Sequence, residues 1–574
     1  MNRIVKVVFI PARSPQSRRS RFFGMTALVL CLAAVVLPLG AQEAPAADPA
    51  LPTLLEEISA RVAAGDIGAV VEELETLMAT AAEGGEPVAP QIRAVLGGLH
   101  LQRGNPERAY QLLMPLVEES PDPALLYNAG RAASAVGNEE EAVVLLERSA
   151  QLSPVSPAAR ALGLMRARQG RVAEAYGLLR PWAFEYPEDV QARLAASYLA
   201  LDLGRTDDAE QLLSDLPQDE PRVRLLLARL LLEQENPRAA ISTLSPLQAD
   251  IARGGTAIAG ELQLDLRKLL AEAYLQTDAP ERALEQLQGV PVSDPHTALV
   301  LARGRIHTGD HTSAEETLRP YIDALLEQDL DEMPARELEL LRDLAFEYGR
   351  AALATGDAKR AVEAFRVAVD LEPWNPVTPE LLSQALSETG AEDEAAEAAA
   401  LSERLQVQQS RQREVFNIGD SRADSTARAV RMAQRWLLHD RPARALELAR
   451  DEMVLSPYDL RPRFIEVQAL LQLKRPEDAL AAADRTLEFA PENADALYQK
   501  GLVLMVQGET EGSEELMRRA IERSPDHTAA MNDLALLLLE RGETDEARAM
   551  LEKILLLQPN DPQALATLER LEKS

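Results

Sequence analysis

Few residues of this 574-residue chain have the types and spacing that chemistry needs. Of six histidines, only those in His307-x-x-Asp310-His311 resemble a ligand cluster, because an i, i+4 spacing sets two imidazoles on one side of a helix. Gly309 stands between them at a predicted turn, which breaks that helical geometry, so a solvated turn is expected rather than a metal site. With 92 carboxylates in the chain, a pair of acids carries no information by itself. There is no G-x-x-x-x-G-K-[ST] phosphate loop, no G-x-S-x-G nucleophile turn and no H-E-x-x-H zinc motif. The expectation is a protein without catalysis, metal or cofactor.

The elements that position the side chains are repeats. Pro457, Pro491, Pro525 and Pro559 stand 34 residues apart and close four equal segments between Thr426 and Asp561. In the last, Thr528–Asp561, Ala535 is at position 8, Gly542 at 15, Ala547 at 20 and Pro559 at 32. Small residues at positions 8 and 20 let two helices approach closely, and position 15 is a turn. Proline lacks an N–H and clashes with the carbonyl four residues back, so it ends one hairpin and opens the next. One hairpin cannot bury its apolar face alone, so each needs its neighbours.

This frame resembles the tetratricopeptide repeat, whose 34-residue unit is a helix–turn–helix with alanine-rich contacts and a closing proline. The resemblance implies an all-α fold, an α-solenoid superhelix of stacked helix-turn-helix repeats. It also implies a concave groove lined by the first helix of each unit, with positions 2, 5, 9 and 12 facing it. Arginine occupies position 9 in four units: Arg131, Arg229, Arg303 and Arg350. Tyr127, Tyr198, Phe346, Arg160, Lys268, Phe464 and Tyr498 fall on the same face. Such a face on an acidic body suits an acidic or C-terminal peptide segment. The bland alternative is that these arginines neutralise nearby Asp and Glu. The Lys/Asn carboxylate clamp of chaperone-binding relatives is not at the matching positions.

Composition agrees with packed helices: 46% apolar but only 4% aromatic, so the core must be built of Leu and Ala. Formal charge is −32, a field that repels nucleic acid and anionic lipid. Residues 1–41 carry six basic residues and no acid, and an apolar run spans Met25 to Leu39. That pattern reads as a signal peptide cleaved after Ala41, because about 15 apolar residues fall short of the roughly 20 a spanning helix needs. An uncleaved anchor over 25–39 is the alternative. Cys31, the single cysteine, follows Val29-Leu30 rather than a small residue, which argues against lipidation, and removal of the segment leaves no thiol.

The expected organisation is a linker at 42–50, about ten hairpins over 51–409, an insertion or hinge at 410–425, four repeats over 426–561 and a capping helix at 562–574. The interval from Pro373 to Pro457 is two repeats plus 16 residues, and Gly419 within the excess breaks a helix. Proline recurs inside the second helix of alternate units, at Pro115, Pro181, Pro246 and Pro320, which predicts kinks. No stretch is left for a catalytic domain. The function expected is a non-catalytic protein–protein scaffold or adaptor in the periplasm. The alternative implied by resemblance is a periplasmic component of a polysaccharide-export or outer-membrane assembly system.

Overall fold

Every hairpin closes through one residue in the left-handed backbone region. Ten such positions are glycine, among them Gly65 (φ 89°), Gly309 (φ 82°) and Gly542 (φ 82°); the other four are Glu235, Asp278, Asp440 and Lys474, each at φ 57°. These are the position-15 residues of the repeat. A side chain there costs about 1–2 kcal/mol, so the turn is imposed by packing where glycine is missing. The next residue's N–H reaches back to a carbonyl inside the first helix, as Asn236 N does to Leu231 O at 2.8 Å, which closes the helix end.

A computed structural model describes residues 51–84, 88–118, 122–253, 260–326, 333, 335–416, 425–559 and 561–573. The signal, anchor and linker expectations for 1–50, Cys31 included, lie outside them. Contacts divide the chain into two compact units, Met1–Leu230 and Leu231–Ser574.

In the first unit the helices are Leu51–Ala63 (α1), Ile67–Gly84 (α2), Pro90–Gln102 (α3), Pro106–Val117 (α4), Pro123–Ala135 (α5), Glu139–Leu152 (α6), Pro157–Arg168 (α7), Val172–Glu185 (α8), Val190–Asp202 (α9), Thr206–Ser214 (α10) and most of Pro221–Glu233 (α11). Odd-numbered helices are the first of each pair. One core cluster joins Leu55, Val71, Leu96 and Leu112; the next joins Ala109, Leu126, Leu146 and Met165. Each cluster draws on successive pairs, the continuity a stacked array requires.

The second unit holds Pro237–Ala252 (α12), Gly260–Gln276 (α13), Pro280–Leu287 (α14), Pro295–His307 (α15), His311–Leu326 (α16), Ala335–Thr355 (α17), Ala358–Leu371 (α18), Val377–Thr389 (α19) and Glu392–Phe416 (α20). It continues with Ser425–Leu438 (α21), Pro442–Leu455 (α22), Arg461–Gln472 (α23), Pro476–Phe489 (α24), Ala494–Gln507 (α25), Thr510–Arg523 (α26), Thr528–Glu540 (α27), Thr544–Leu557 (α28) and Pro562–Lys573 (α29). No strand occurs among the described residues. The close contact at position 8 is literal: a Cβ added to Gly349 of α17 would stand 2.6 Å from the ring of Phe365 on α18.

Pro115, Pro181, Pro246 and Pro320 sit inside α4, α8, α12 and α16, so none of them ends its element. Of the insertion, residues 417–424 lie outside the described ones, and α20 runs into it as far as Phe416. Both flanks belong to the second unit. Trp374, in the turn after α18, packs onto the core cluster of α21–α25, beside Trp436. In α29, Leu568 and Leu571 cover the last core cluster while Leu565 remains 46% exposed.

Candidate partner-binding face

In the first unit, α3, α5 and α7 line one open cavity of about 760 Å³. Gly98 and Gln102 come from α3, Tyr127, Asn128, Arg131 and Ser134 from α5, and Arg160, Leu164, Met165 and Arg168 from α7. Helical spacing explains the set, since residues three or four apart share one face. The Arg131 guanidinium lies over the Tyr127 ring, 5.5 Å from its centroid, and is exposed. It has no carboxylate partner among the described residues.

Arg160 is held differently. It pairs with Asp189, and its Nη2 donates to Gln191 Oε1 at 3.1 Å. Asp189 caps α9 through Ala192 N at 3.1 Å and accepts from Trp182 Nε1 at 3.0 Å. Burial pushes this carboxyl up, but the Arg160 and Trp182 hydrogen bonds outweigh it and hold the group below the usual aspartate value.

The other position-9 arginines are engaged. Arg229 lies 5.1 Å over Tyr198 and donates to Asp202 at 2.6 Å. In the second unit, Arg303 donates to Asp343 at 2.9 Å and to Glu347 at 3.0 Å, and Arg350 reaches the same Glu347 at 2.9 Å. Glu347 is only 8% exposed. Burial works against the Arg303 charge, and Asp343 with Glu347 overrides it, so its pKa stays above the ordinary arginine value. Arg350 also lies 5.9 Å over Phe346, whose ring meets Phe365 edge-on. Three of the four arginines therefore bind carboxylates of this chain. Lys268, expected on the open face, is buried against Asp294 at 2.9 Å. Phe464 is half-buried, and Tyr498 donates its hydroxyl to Asp533 at 2.8 Å.

Sequence reasoning missed Gly98, Gln102, Asn128 and Ser134. The frame held the signal for Gly98: it stands at position 9 of its unit, where the following unit has Arg131. His307 ends α15 and His311 opens α16 across the Gly309 turn, and among the described residues no group of three or more His, Cys, Asp or Glu is placed to hold a metal ion. Among the described residues no helix is long and apolar enough to cross a membrane.

A stack of antiparallel helix pairs, each closed at one left-handed residue and packed through small residues at fixed positions, defines a helical-repeat protein. Tetratricopeptide repeat models match residues 166–222, 466–528 and 504–571, so the chain contains tetratricopeptide repeats. In structure it is similar to a chain of the APC/C hetero-tetramer Cut9-Hcn1, at 13% identity over 94% of this chain and 98% of that one, with a TM-score of 0.28. It is also similar to YrrB, a TPR protein with an unusual peptide-binding site (13% identity, 39% of this chain, 91% of that one, TM-score 0.21). A third is TTC0263, a thermophilic TPR protein of Thermus thermophilus (18% identity, 39% of this chain, 96% of that one, TM-score 0.21). No curated protein matches the chain in sequence.

Proposed function

We propose that this protein is a non-catalytic scaffold or adaptor of the cell envelope that holds partner proteins against the face formed by its first helices. The observation that carries this reading is the α3–α5–α7 cavity, where a chain of net charge −32 presents an arginine, Arg131, with no carboxylate partner among the described residues. Repeats supply extended surface and no internal chemistry. The envelope address rests on residues 1–41, whose six basic residues precede the 25–39 apolar run.

The test is affinity capture from envelope fractions with the intact protein, paired with mass spectrometry of its N-terminus. A specific partner together with an N-terminus near Gln42 is expected. Recovery in the cytosolic fraction with Met1 intact would reject the envelope address, and the absence of any specific partner would reject the scaffold. A porin or a polysaccharide-export protein among the partners would point to an outer-membrane machine.

A further inference from the structure

The cavity of α3, α5 and α7 differs in chemistry from the rest of the first-helix face. Position 9, filled by an arginine in four units, is Gly98 in α3, and the missing side chain opens the space beside Asn128. A Cβ built on Gly98 would meet only the Asn128 amide nitrogen, at 3.8 Å. Next to that space Arg131 carries a charge without a counter-ion among the described residues, whereas Arg160 on the opposite wall is neutralised by Asp189. The side chains of Gln102 and Asn128 line the same space and make no hydrogen bond to any described residue. Leu164 and Met165 supply an apolar floor, both nearly fully buried.

We infer that this cavity binds a carboxylate carried on a short apolar body. The Arg131 charge flanked by neutral carboxamides suits a singly charged anion, because the acidic body would repel a dianion twice as strongly. The flat guanidinium fork matches the two oxygens of a carboxylate, and its seat over the Tyr127 ring limits its freedom before binding. Asn128 and Gln102 each offer a donor and an acceptor to polar atoms next to the acid. Leu164 and Met165 take the apolar body, and the volume falls in the range of roughly 300–1,000 Å³ typical of small-ligand pockets. The carboxylate comes either from a free small acid or from an acidic residue beside an apolar one in a bound partner; only the second source rests on the scaffold reading above.

The experiment is calorimetric titration of the intact protein with N-acetyl-leucine and with N-acetyl-leucinamide, and with blocked Leu-Glu-Leu and Leu-Gln-Leu peptides. At least one acid should bind about tenfold more tightly than its amide. Arg131→Gln should remove that difference, and Gly98→Leu, which fills the space, should abolish binding with the melting temperature preserved. Arg519→Gln, the same charge loss at an exposed arginine of α26, should change nothing. The acid that binds identifies the source. Equal binding of acids and amides, or unchanged affinity in Arg131→Gln, overturns the inference. Arg131-dependent binding of N-acetyl-leucine with no partner protein captured would instead retain this site and reject the scaffold. A captured partner indifferent to Arg131→Gln and Gly98→Leu, with acids and amides bound alike, would do the reverse.

Discussion

Trp374 meets Trp436 edge-on, with ring centroids 4.8 Å apart and planes at 73°, across the whole of the tenth hairpin and the 410–425 insertion. Asp370 and Arg441, 71 residues apart, pair beside them, and Arg435 lies 5.7 Å over the Trp374 ring. The ninth hairpin thus touches the first of the four C-terminal repeats directly. Trp374→Ala should destabilise the second unit by roughly 1–3 kcal/mol, less than a fully buried tryptophan because the residue is only partly buried. Two of the three tryptophans form this pair, so intrinsic fluorescence reads its loss. Protease nicking within 410–425 should leave two fragments that co-elute, and the same nick in Trp374→Ala should release them; fragments that separate in the unmutated protein would show the contact to be too weak to hold.

Two helical glycines should respond oppositely to alanine. At Gly349 the new methyl would press on Phe365, which is fully buried and has nowhere to swing, so Gly349→Ala should cost roughly 1–3 kcal/mol despite alanine's better helix propensity. At Gly98 the nearest atom is 3.8 Å away, and Gly98→Ala should be neutral or stabilise by up to about 1 kcal/mol. Urea unfolding of both variants checks the contrast.

The position-9 arginines should separate by their partners. Arg303→Glu places a carboxylate against Asp343 and the buried Glu347 and should destabilise by about 1–3 kcal/mol, below the 3–5 of a fully buried pair because Arg303 keeps 35% of its side chain exposed. Arg131→Glu has no such opponent and should stay within about 0.5 kcal/mol of the parent. Thermal melts of the two single variants suffice. Equal losses would mean that Arg131 is bound to the fold after all.

Asp533 titrates in the unusual direction. Burial raises its pKa, and the Tyr498 hydroxyl and His527 only partly offset this. A carboxyl whose folded pKa lies above its unfolded one favours folding while protonated, and its ionisation penalty appears as pH rises through the interval and is complete above it. Asp533→Asn, which still accepts from Tyr498, should therefore melt higher than the parent at pH 7. The advantage should vanish below the ordinary aspartate range, near pH 3.8. A constant difference across pH would assign the effect to packing.

What the sequence determined by itself is local. The left-handed turn at position 15, the small residues at 8 and 20 and the closing prolines are properties of a few adjacent residues, so their spacing specified fourteen hairpins and a terminal helix, even where Glu235, Asp278, Asp440 or Lys474 replaced glycine. Which cations remain available was decided only by the tertiary structure. Arg303 and Arg131 occupy the same repeat position, yet the carboxylates that take up Arg303 lie 40 and 44 residues further along, on α17, and Arg131 finds none among the described residues. The Trp374–Trp436 contact likewise bypasses a whole hairpin. Periodicity places a side chain on a helix face, but its partner across the stack depends on the packing distance and rotation between helices that are not adjacent in the chain, which no local spacing encodes.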